Sequence, residues 1–149
     1  EPVQQAIRVL DILAKEADIR LYCDLPEDLP LLFMDSGKIT RVFTNLIDNA
    51  LRYTPPGGCV TIRAEYLPEE TAILATVEDN GPGIPPDVRG RIFERYASGL
   101  TGIPRHQHRG LGLGLTFCKL AVEAHGGRIW VEDGAEGGAA FRFTLPLMR

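Results

Sequence analysis

The chain has 149 residues, the length of one compact domain, and its 44% hydrophobic and 24% charged residues are typical of a globular protein. No apolar run approaches the roughly 20 residues that a membrane-spanning helix needs, so we expect no membrane contact. The formal net charge of −4 disfavours nucleic acid as a partner, because binding its phosphates requires a basic face.

The cysteines indicate the cellular compartment of the chain, and its first residues indicate whether it is part of a longer protein. Cys23, Cys59 and Cys118 are odd in number, lie far apart and form no Cys-x-x-Cys pair, which disfavours both a disulfide framework and a zinc site. A reducing cytoplasm is therefore expected. The sequence begins at Glu1 within a helical pattern and without a signal peptide. We expect residues 1–149 to form a single domain of a longer protein.

The first third of the chain predicts two helices separated by a strand. Apolar residues from Val3 to Leu13 recur at helical spacing and predict a helix that ends near Asp18. Residues 19–24 alternate as in a strand, and residues 26–30 predict a loop. The second helix begins at residue 35 or 36, and its apolar face consists of Ile39, Val42, Phe43, Leu46, Ile47, Ala50 and Leu51.

The rest of the chain predicts four strands and a third helix. Two strands, 60–67 and 71–78, form a hairpin, and the aperiodic residues 96–110 predict a long functional loop. A helix from about residue 112 to 125 ends at Gly126, and strands at 128–132 and 140–146 close the chain. The pattern predicts an α+β fold with helices on one face of a mixed sheet of about five strands.

Polar residues form a stripe along the second helix. Asn45 and Asn49 lie four positions apart, with Lys38 and Arg52 on the same side. An amide oxygen suits Mg²⁺ and a basic side chain suits phosphate, so the stripe can hold a metal–nucleotide complex. Alternatively, these are boundary residues of an amphipathic helix. The helical wheel also places Asp48 opposite the core, where substitution should have little effect.

Two glycine-containing segments are further candidates. Asp79 ends a strand and is followed by Gly81 and Gly83, so backbone can approach a flat ligand there and the carboxylate can accept a hydrogen bond from an amine. A plain turn explains the same residues. The alternating glycines at 110–114 lead into a helix, where free N–H groups favour phosphate. They match neither the dinucleotide fingerprint nor the P-loop, and glycines at a helix start destabilise it, which disfavours a purely structural role.

In their order and spacing these segments resemble the N, G1, F and G2 boxes of sensor histidine kinases. The likeness covers nearly the whole chain. Its elements are the paired asparagines 45 and 49, Tyr-Thr-Pro-Pro-Gly-Gly at 53–58, Asp-x-Gly-x-Gly at 79–83, Ile-Phe-Glu-Arg-Tyr at 92–96, the alternating glycines at 110–114 and Ala-His-Gly-Gly-Arg-Ile-Trp-Val at 124–131.

The resemblance implies a two-layer α/β sandwich, with about three helices on one face, that binds ATP beneath a mobile lid at about 96–110. Asn49 would then coordinate Mg²⁺ and Asn45 would assist at the phosphates, both as catalytic residues. Arg52 would contact phosphate, Tyr53 would stack near the base, and Asp79 would bind the adenine amine. The remaining implied ATP contacts are Gly81, Gly83, Ile84, Phe93, Arg105, Arg109, Gly110, Leu111, Gly112, Leu113, Gly114 and Leu115.

Several of these residues have more specific expected roles. Gly81 and Gly83 would shape the base pocket, Phe93 would anchor the lid, and the three later glycines would wrap the phosphates. Arg105 and Arg109 suit the γ-phosphate, because guanidinium donors match its oxygens. Leu111 departs from the family pattern, which commonly has a small polar residue there.

The residue one turn before Asn49 separates two chemistries. Related ATPases have a glutamate there as the base that activates water, whereas this chain has Asn45, whose amide cannot take a proton. The chain should therefore donate phosphate to a histidine on a separate dimerisation and phosphotransfer domain of the same protein, and a response regulator should follow. None of His106, His108 and His125 is a plausible acceptor. The alternatives are a conformational ATPase and a serine-kinase-like regulatory domain.

Overall fold

A computed structural model describes residues 2–24, 36–84, 89, 92–93, 114–135 and 137–146. This part of the chain contains three helices and five strands. In chain order they are α1 (Pro2–Glu16), β1 (Arg20–Asp24), α2 (Ser36–Tyr53), β2 (Cys59–Leu67), β3 (Ala72–Asp79), α3 (Gly114–Ala124), β4 (Ile129–Asp133) and β5 (Ala139–Pro146). The predicted elements are confirmed, with most ends shifted by a residue or two. The predicted loops at 26–30 and 96–110 and the predicted start of the third helix lie outside the described residues.

The five strands form one mixed sheet, as the sequence predicts. Their order is β1-β2-β3-β5-β4, with β1 parallel to β2 and every other pair antiparallel. In the central hairpin, Val60 at the start of β2 lies opposite Asp79 at the end of β3. This register places the Asp79 side chain on the same face of the sheet as Val60.

One face of the sheet packs against the helices. Val60 and Ile62 of β2 are fully buried, whereas Thr61 and Arg63, which alternate with them, are only partly buried. On β5, Phe141 and Phe143 are also buried, and the Phe143 ring meets the ring of Phe43 on α2 edge to face, with centroids 5.1 Å apart. The two-layer sandwich is therefore confirmed.

The three cysteines are free thiols in different environments. Cys23 is exposed, Cys59 is partly buried and Cys118 is buried. The Cys118 Sγ donates to the Val42 carbonyl at 3.7 Å, which links α3 to α2. Burial raises the pKa of Cys118 to about 12, so this thiol stays protonated at neutral pH. Within the described residues, no helix is long and apolar enough to span a bilayer.

The end of α3 is held by two glycines. Gly126 N–H donates to the Glu123 carbonyl and Gly127 N–H to the Val122 carbonyl, and Gly126 has a positive φ of 83°. This is the Schellman arrangement, and it confirms Gly126 as the predicted helix cap. A Cβ on Gly127 would lie 1.8 Å from the Thr144 carbonyl oxygen of β5. Gly127 therefore lies where the chain passes from α3 to the sheet, and there is no room for a side chain at this position.

We expect Gly127→Ala to destabilise the domain by at least about 2 kcal/mol, because the clashing atom belongs to the backbone of β5 and cannot move aside. Urea unfolding measures the effect. Gly137→Ala is the control, since no atom of the described residues lies within 4 Å of its added Cβ, and its positive φ of 94° opposes the change. Equal losses in the two variants would contradict the packing argument.

Candidate functional site

The polar stripe of α2 meets the start of α3. The Asn45 Nδ2 donates to the Gly114 carbonyl at 3.3 Å. A Cβ on Gly114 would lie 3.7 Å from the Asn45 Cγ, so the two chain segments are in near contact. Asn49, one turn further along α2, is half-buried, and its amide makes no hydrogen bond to any described residue. The fold thereby brings the paired asparagines and the last of the alternating glycines to one place.

Arg52 on α2 is held by Asp48. The Arg52 guanidinium donates to Asp48 Oδ2 at 2.9 Å, and the side chains are only 21% and 18% exposed. The helical wheel places Asp48 opposite the core, yet its side chain is largely shielded from solvent, and its carboxylate reaches the guanidinium four positions later. The ion pair restrains the direction of Arg52.

Asp79 is a carboxylate buried at the end of β3. Its residue exposure is only 6%. Its Oδ1 accepts hydrogen bonds from the Gly81 N–H at 2.9 Å and the Ala139 N–H at 3.3 Å. Among the described residues no donor reaches Oδ2 and no cation pairs with the group. One oxygen is thus tied to the backbone and the other remains for a ligand.

Burial raises the pKa of Asp79 above its ordinary value. The hydrogen bonds from Gly81 and Ala139 lower the pKa without cancelling this effect, and the neighbouring charge of Glu78 raises it further. A carboxyl group kept in such surroundings costs folding free energy and is a common mark of a functional site. The electrostatics therefore favour a binding role for Asp79 over a structural one.

The segment after Asp79 runs against the end of α2. A Cβ on Gly81 would lie 2.7 Å from the Tyr53 carbonyl oxygen and 3.2 Å from Asp79 Oδ1. Only glycine allows this approach, which brings the Tyr53 carbonyl and the Asp79 carboxylate against the same residue. Gly83 has a positive φ of 82°, and Ile84 is buried in the hydrophobic core.

Phe93 connects the middle segment of the chain to α3 and β5. Its ring meets the Phe141 ring edge to face at 6.1 Å, and its carbonyl accepts a hydrogen bond from the Thr116 Oγ1 at 2.8 Å. Leu115 of α3 packs against the same core. These contacts fit an anchoring role for Phe93. The predicted contacts Arg105, Arg109, Gly110, Leu111, Gly112 and Leu113 lie outside the described residues.

Sequence reasoning missed residues that act on Asp79 and Phe93. Gly138 ends the turn between β4 and β5 and Ala139 begins β5, and in sequence this segment indicates only a glycine-rich turn. A Cβ on Gly138 would lie 2.5 Å from Asp79 Oδ1. Thr116 was hidden because it follows the alternating glycines as an ordinary helix residue. The paired glycines at 137 and 138 are the one signal that pointed to a close backbone approach.

Comparison with known proteins places this geometry in a family. A profile described as "Histidine kinase-, DNA gyrase B-, and HSP90-like ATPase" matches residues 34–149. The adaptive-response sensory kinase SasA of Trichormus variabilis is 41% identical over 125 residues, which are 83% of this chain and 30% of that protein. The chain spans 30% to 38% of the length of the curated SasA proteins that it matches.

Solved structures agree with the sequence relatives. The catalytic domain of histidine kinase ThkA superposes with a TM-score of 0.82 at 26% identity, covering 98% of this chain and 90% of that one. Full-length ShkA in complex with AMPPNP superposes with a TM-score of 0.84 at 28% identity, covering 98% of this chain and 29% of that one. The chain therefore belongs to the histidine kinase-, DNA gyrase B- and HSP90-like ATPase family, and within it to the ATP-binding catalytic domains of sensor histidine kinases.

Proposed function

We propose that this domain binds Mg-ATP and donates the γ-phosphate to a histidine on a dimerisation and phosphotransfer domain of the same protein, from which it passes to a response regulator. The observation that carries the proposal is Asp79, a buried carboxylate with one oxygen tied to backbone and the other open to a donor. The exocyclic amine of adenine is such a donor. The related kinase ShkA has been solved in complex with AMPPNP, which supports a nucleotide at this site.

The phosphates would lie along α2 towards the start of α3. Asn45 and Asn49 line this path, and the first N–H groups of a helix attract anions through the helix dipole. Arg52 adds a guanidinium, which Asp48 holds in place. A nucleotide bound in this way spans from the end of the sheet to the helix layer, so both layers contribute to its affinity.

Asn49 is the residue we propose for Mg²⁺. Its amide oxygen is a hard donor, and the half-buried side chain is not engaged by other described residues. Mg²⁺ usually keeps several waters and binds substrate phosphates together with one or two protein ligands, so a single amide fits the ion. When bound, the ion neutralises phosphate charge during transfer.

Asn45 argues against hydrolysis by this domain alone. Its amide donates to the Gly114 carbonyl and has no basic site with which to take a proton from water. Phosphoryl transfer then depends on positioning and charge neutralisation, and the nucleophile comes from elsewhere. The SasA relatives are about three times as long as this chain, which leaves room for a domain that carries the acceptor. The proposed setting of the whole protein is the cytoplasm.

Asp79→Asn tests the base contact with almost no change of shape. The amide keeps an oxygen for Gly81 and Ala139 but presents an N–H₂ group in place of Oδ2, which repels the adenine amine. We expect ATP affinity to fall about tenfold or more, as for loss of a hydrogen bond to a charged group. Calorimetry with ATP and with inosine triphosphate, which carries an oxygen in place of the amine, measures the loss. Equal changes for both nucleotides would contradict the contact.

The same variant separates binding from folding through pH. A carboxyl group with a raised pKa holds more protons folded than unfolded between its two pKa values, so the native domain loses stability as pH rises above about 4. Asparagine does not titrate. The free energy of unfolding of Asp79→Asn, relative to that of the native domain, should therefore increase from pH 4 to pH 7. A constant difference would show that Asp79 ionises without cost.

Asn49→Ala tests the metal role. We expect ATP affinity in Mg²⁺ to fall about tenfold, because the ion loses its protein ligand, and the deficit to disappear when EDTA removes the metal. Thr44→Ala is the matched control on α2, since among the described residues the Thr44 hydroxyl bonds only to the Thr40 carbonyl of its own helix. If the deficit is the same with and without Mg²⁺, Asn49 contacts the nucleotide rather than the ion.

The direction of transfer is tested by mixing the domain with γ-labelled ATP and a histidine-bearing helical hairpin from a SasA relative. We expect acid-labile label on the hairpin, and none when glutamine replaces its histidine. Acid-stable label would indicate a serine kinase. Steady phosphate release by the domain alone would indicate a conformational ATPase and contradict the role given to Asn45.

A further inference from the structure

The turn that joins β4 and β5 touches the only carboxylate that the described residues place at the base site. A Cβ on Gly138 would lie 2.0 Å from the Asp79 carbonyl oxygen, 2.6 Å from its carbonyl carbon and 2.5 Å from Oδ1. Contacts of that length do not occur between non-bonded atoms. Two of the three atoms belong to the backbone of β3, so Gly138 and Asp79 can approach only because residue 138 has no side chain.

The same turn also orients the carboxylate. Ala139 N–H, next in the chain after Gly138, donates to Asp79 Oδ1, and Gly81 N–H donates to the same oxygen from the other side of β3. Two donors on one oxygen hold the plane of the carboxylate and determine where Oδ2 points. If the turn moved away by the width of a methyl group, the Ala139 hydrogen bond, already 3.3 Å long, would be lost.

The turn is itself fixed in place. Gly134 N–H donates to the Gly138 carbonyl at 2.7 Å, which closes the loop. Ala135 N–H donates to Glu78 Oε2 at 2.6 Å, which ties the turn to β3 beside Asp79. A Cβ on Gly83 would lie 3.2 Å from the Gly137 carbonyl oxygen, so the segment after Asp79 also rests on the turn.

We propose that the β4–β5 turn, of which Gly134, Ala135, Gly137 and Gly138 are described, acts together with Ala139 at the start of β5 as a positioning element for base selectivity, in which Gly138 and the Ala139 N–H set the direction of Asp79 Oδ2 towards an amine-bearing purine. The proposal rests on the proposed ATP site and adds to it a segment far from Asp79 in sequence. Gly138 is a positioning residue, since it acts through Asp79 and need not touch the nucleotide. A purine with an oxygen in place of the amine gains nothing from an oriented carboxylate.

Gly138→Ala is the direct test, with the ratio of the dissociation constants of inosine triphosphate and ATP as the readout. We expect the ratio to fall about tenfold, because the added methyl displaces Asp79 Oδ1 and with it Oδ2. Simple destabilisation would weaken both nucleotides together and leave the ratio unchanged. In the Asp79→Asn background the same substitution should leave the ratio unaltered, since its target is gone.

Gly137→Ala is the matched control. It strains the same turn through a positive φ of 94°, but in the described part of the chain no atom lies within 4 Å of its Cβ. In this variant the ratio of the dissociation constants of inosine triphosphate and ATP should stay within about twofold of the native value. An equal fall in both variants would assign the effect to turn strain and overturn the role of Gly138.

Glu78→Ala keeps the test decisive if Gly138→Ala does not fold. It removes the acceptor of the Ala135 N–H, and Glu78→Gln, which removes the same charge beside Asp79 but keeps an acceptor oxygen, is its control. We expect the ratio of the dissociation constants to be about threefold lower in Glu78→Ala than in Glu78→Gln, and equal ratios would overturn the proposal. A native domain that binds both nucleotides equally would instead refute the Asp79 contact of the proposed function, so the two failures are distinguishable.

Discussion

The burial of one ionisable carboxylate is the constraint on which the rest of the site depends. Asp79 ends the central strand β3 on the helix-covered face, where Val60 lies opposite it and the core begins. Water cannot solvate a carboxylate there as it does at a surface, and two backbone donors replace only part of the lost solvation. A domain that retains such a group loses stability, and the loss is understandable if a bound ligand supplies the missing donor.

The phosphate end of the proposed site is built by a different principle. It is lined by side chains of α2 and by the start of α3, and the two helices meet there through one long hydrogen bond from Asn45 to Gly114. Neutral amides and a paired arginine can bind and orient phosphate groups, but they do not take protons. In the proposed function the chemistry is divided between domains, so that this one holds the phosphate donor in position and the acceptor nucleophile is brought to it.

Much of this was readable from the sequence. The apolar face of α2, the alternation in the strands and the cap at Gly126 each follow from short-range rules, so the helices, the strands and the mixed sheet were predicted to within a residue or two. The nature of the site followed from the order of its motifs. What could not be read were contacts between distant segments, namely Gly138 against Asp79 and Thr116 on the Phe93 carbonyl. The Asp48–Arg52 pair is a different case, because its four-residue spacing is visible in the sequence, but helical periodicity alone does not say what a carboxylate binds.

The two ends of the proposed site differ in rigidity for a reason that follows from their construction. At the base end, three hydrogen bonds from two chain segments converge on the carboxylates at the end of β3, and backbone atoms of the β4–β5 turn lie in near contact with Asp79. At the phosphate end, orientation depends on side chains, among them Asn45 against Gly114, and on the Phe93 carbonyl held by Thr116. Changes that accompany phosphate transfer should therefore occur at the helix termini, while the base stays fixed against the sheet. Such an arrangement suits the proposed function, in which one end keeps hold of the nucleotide while the other adjusts to an acceptor from a separate domain.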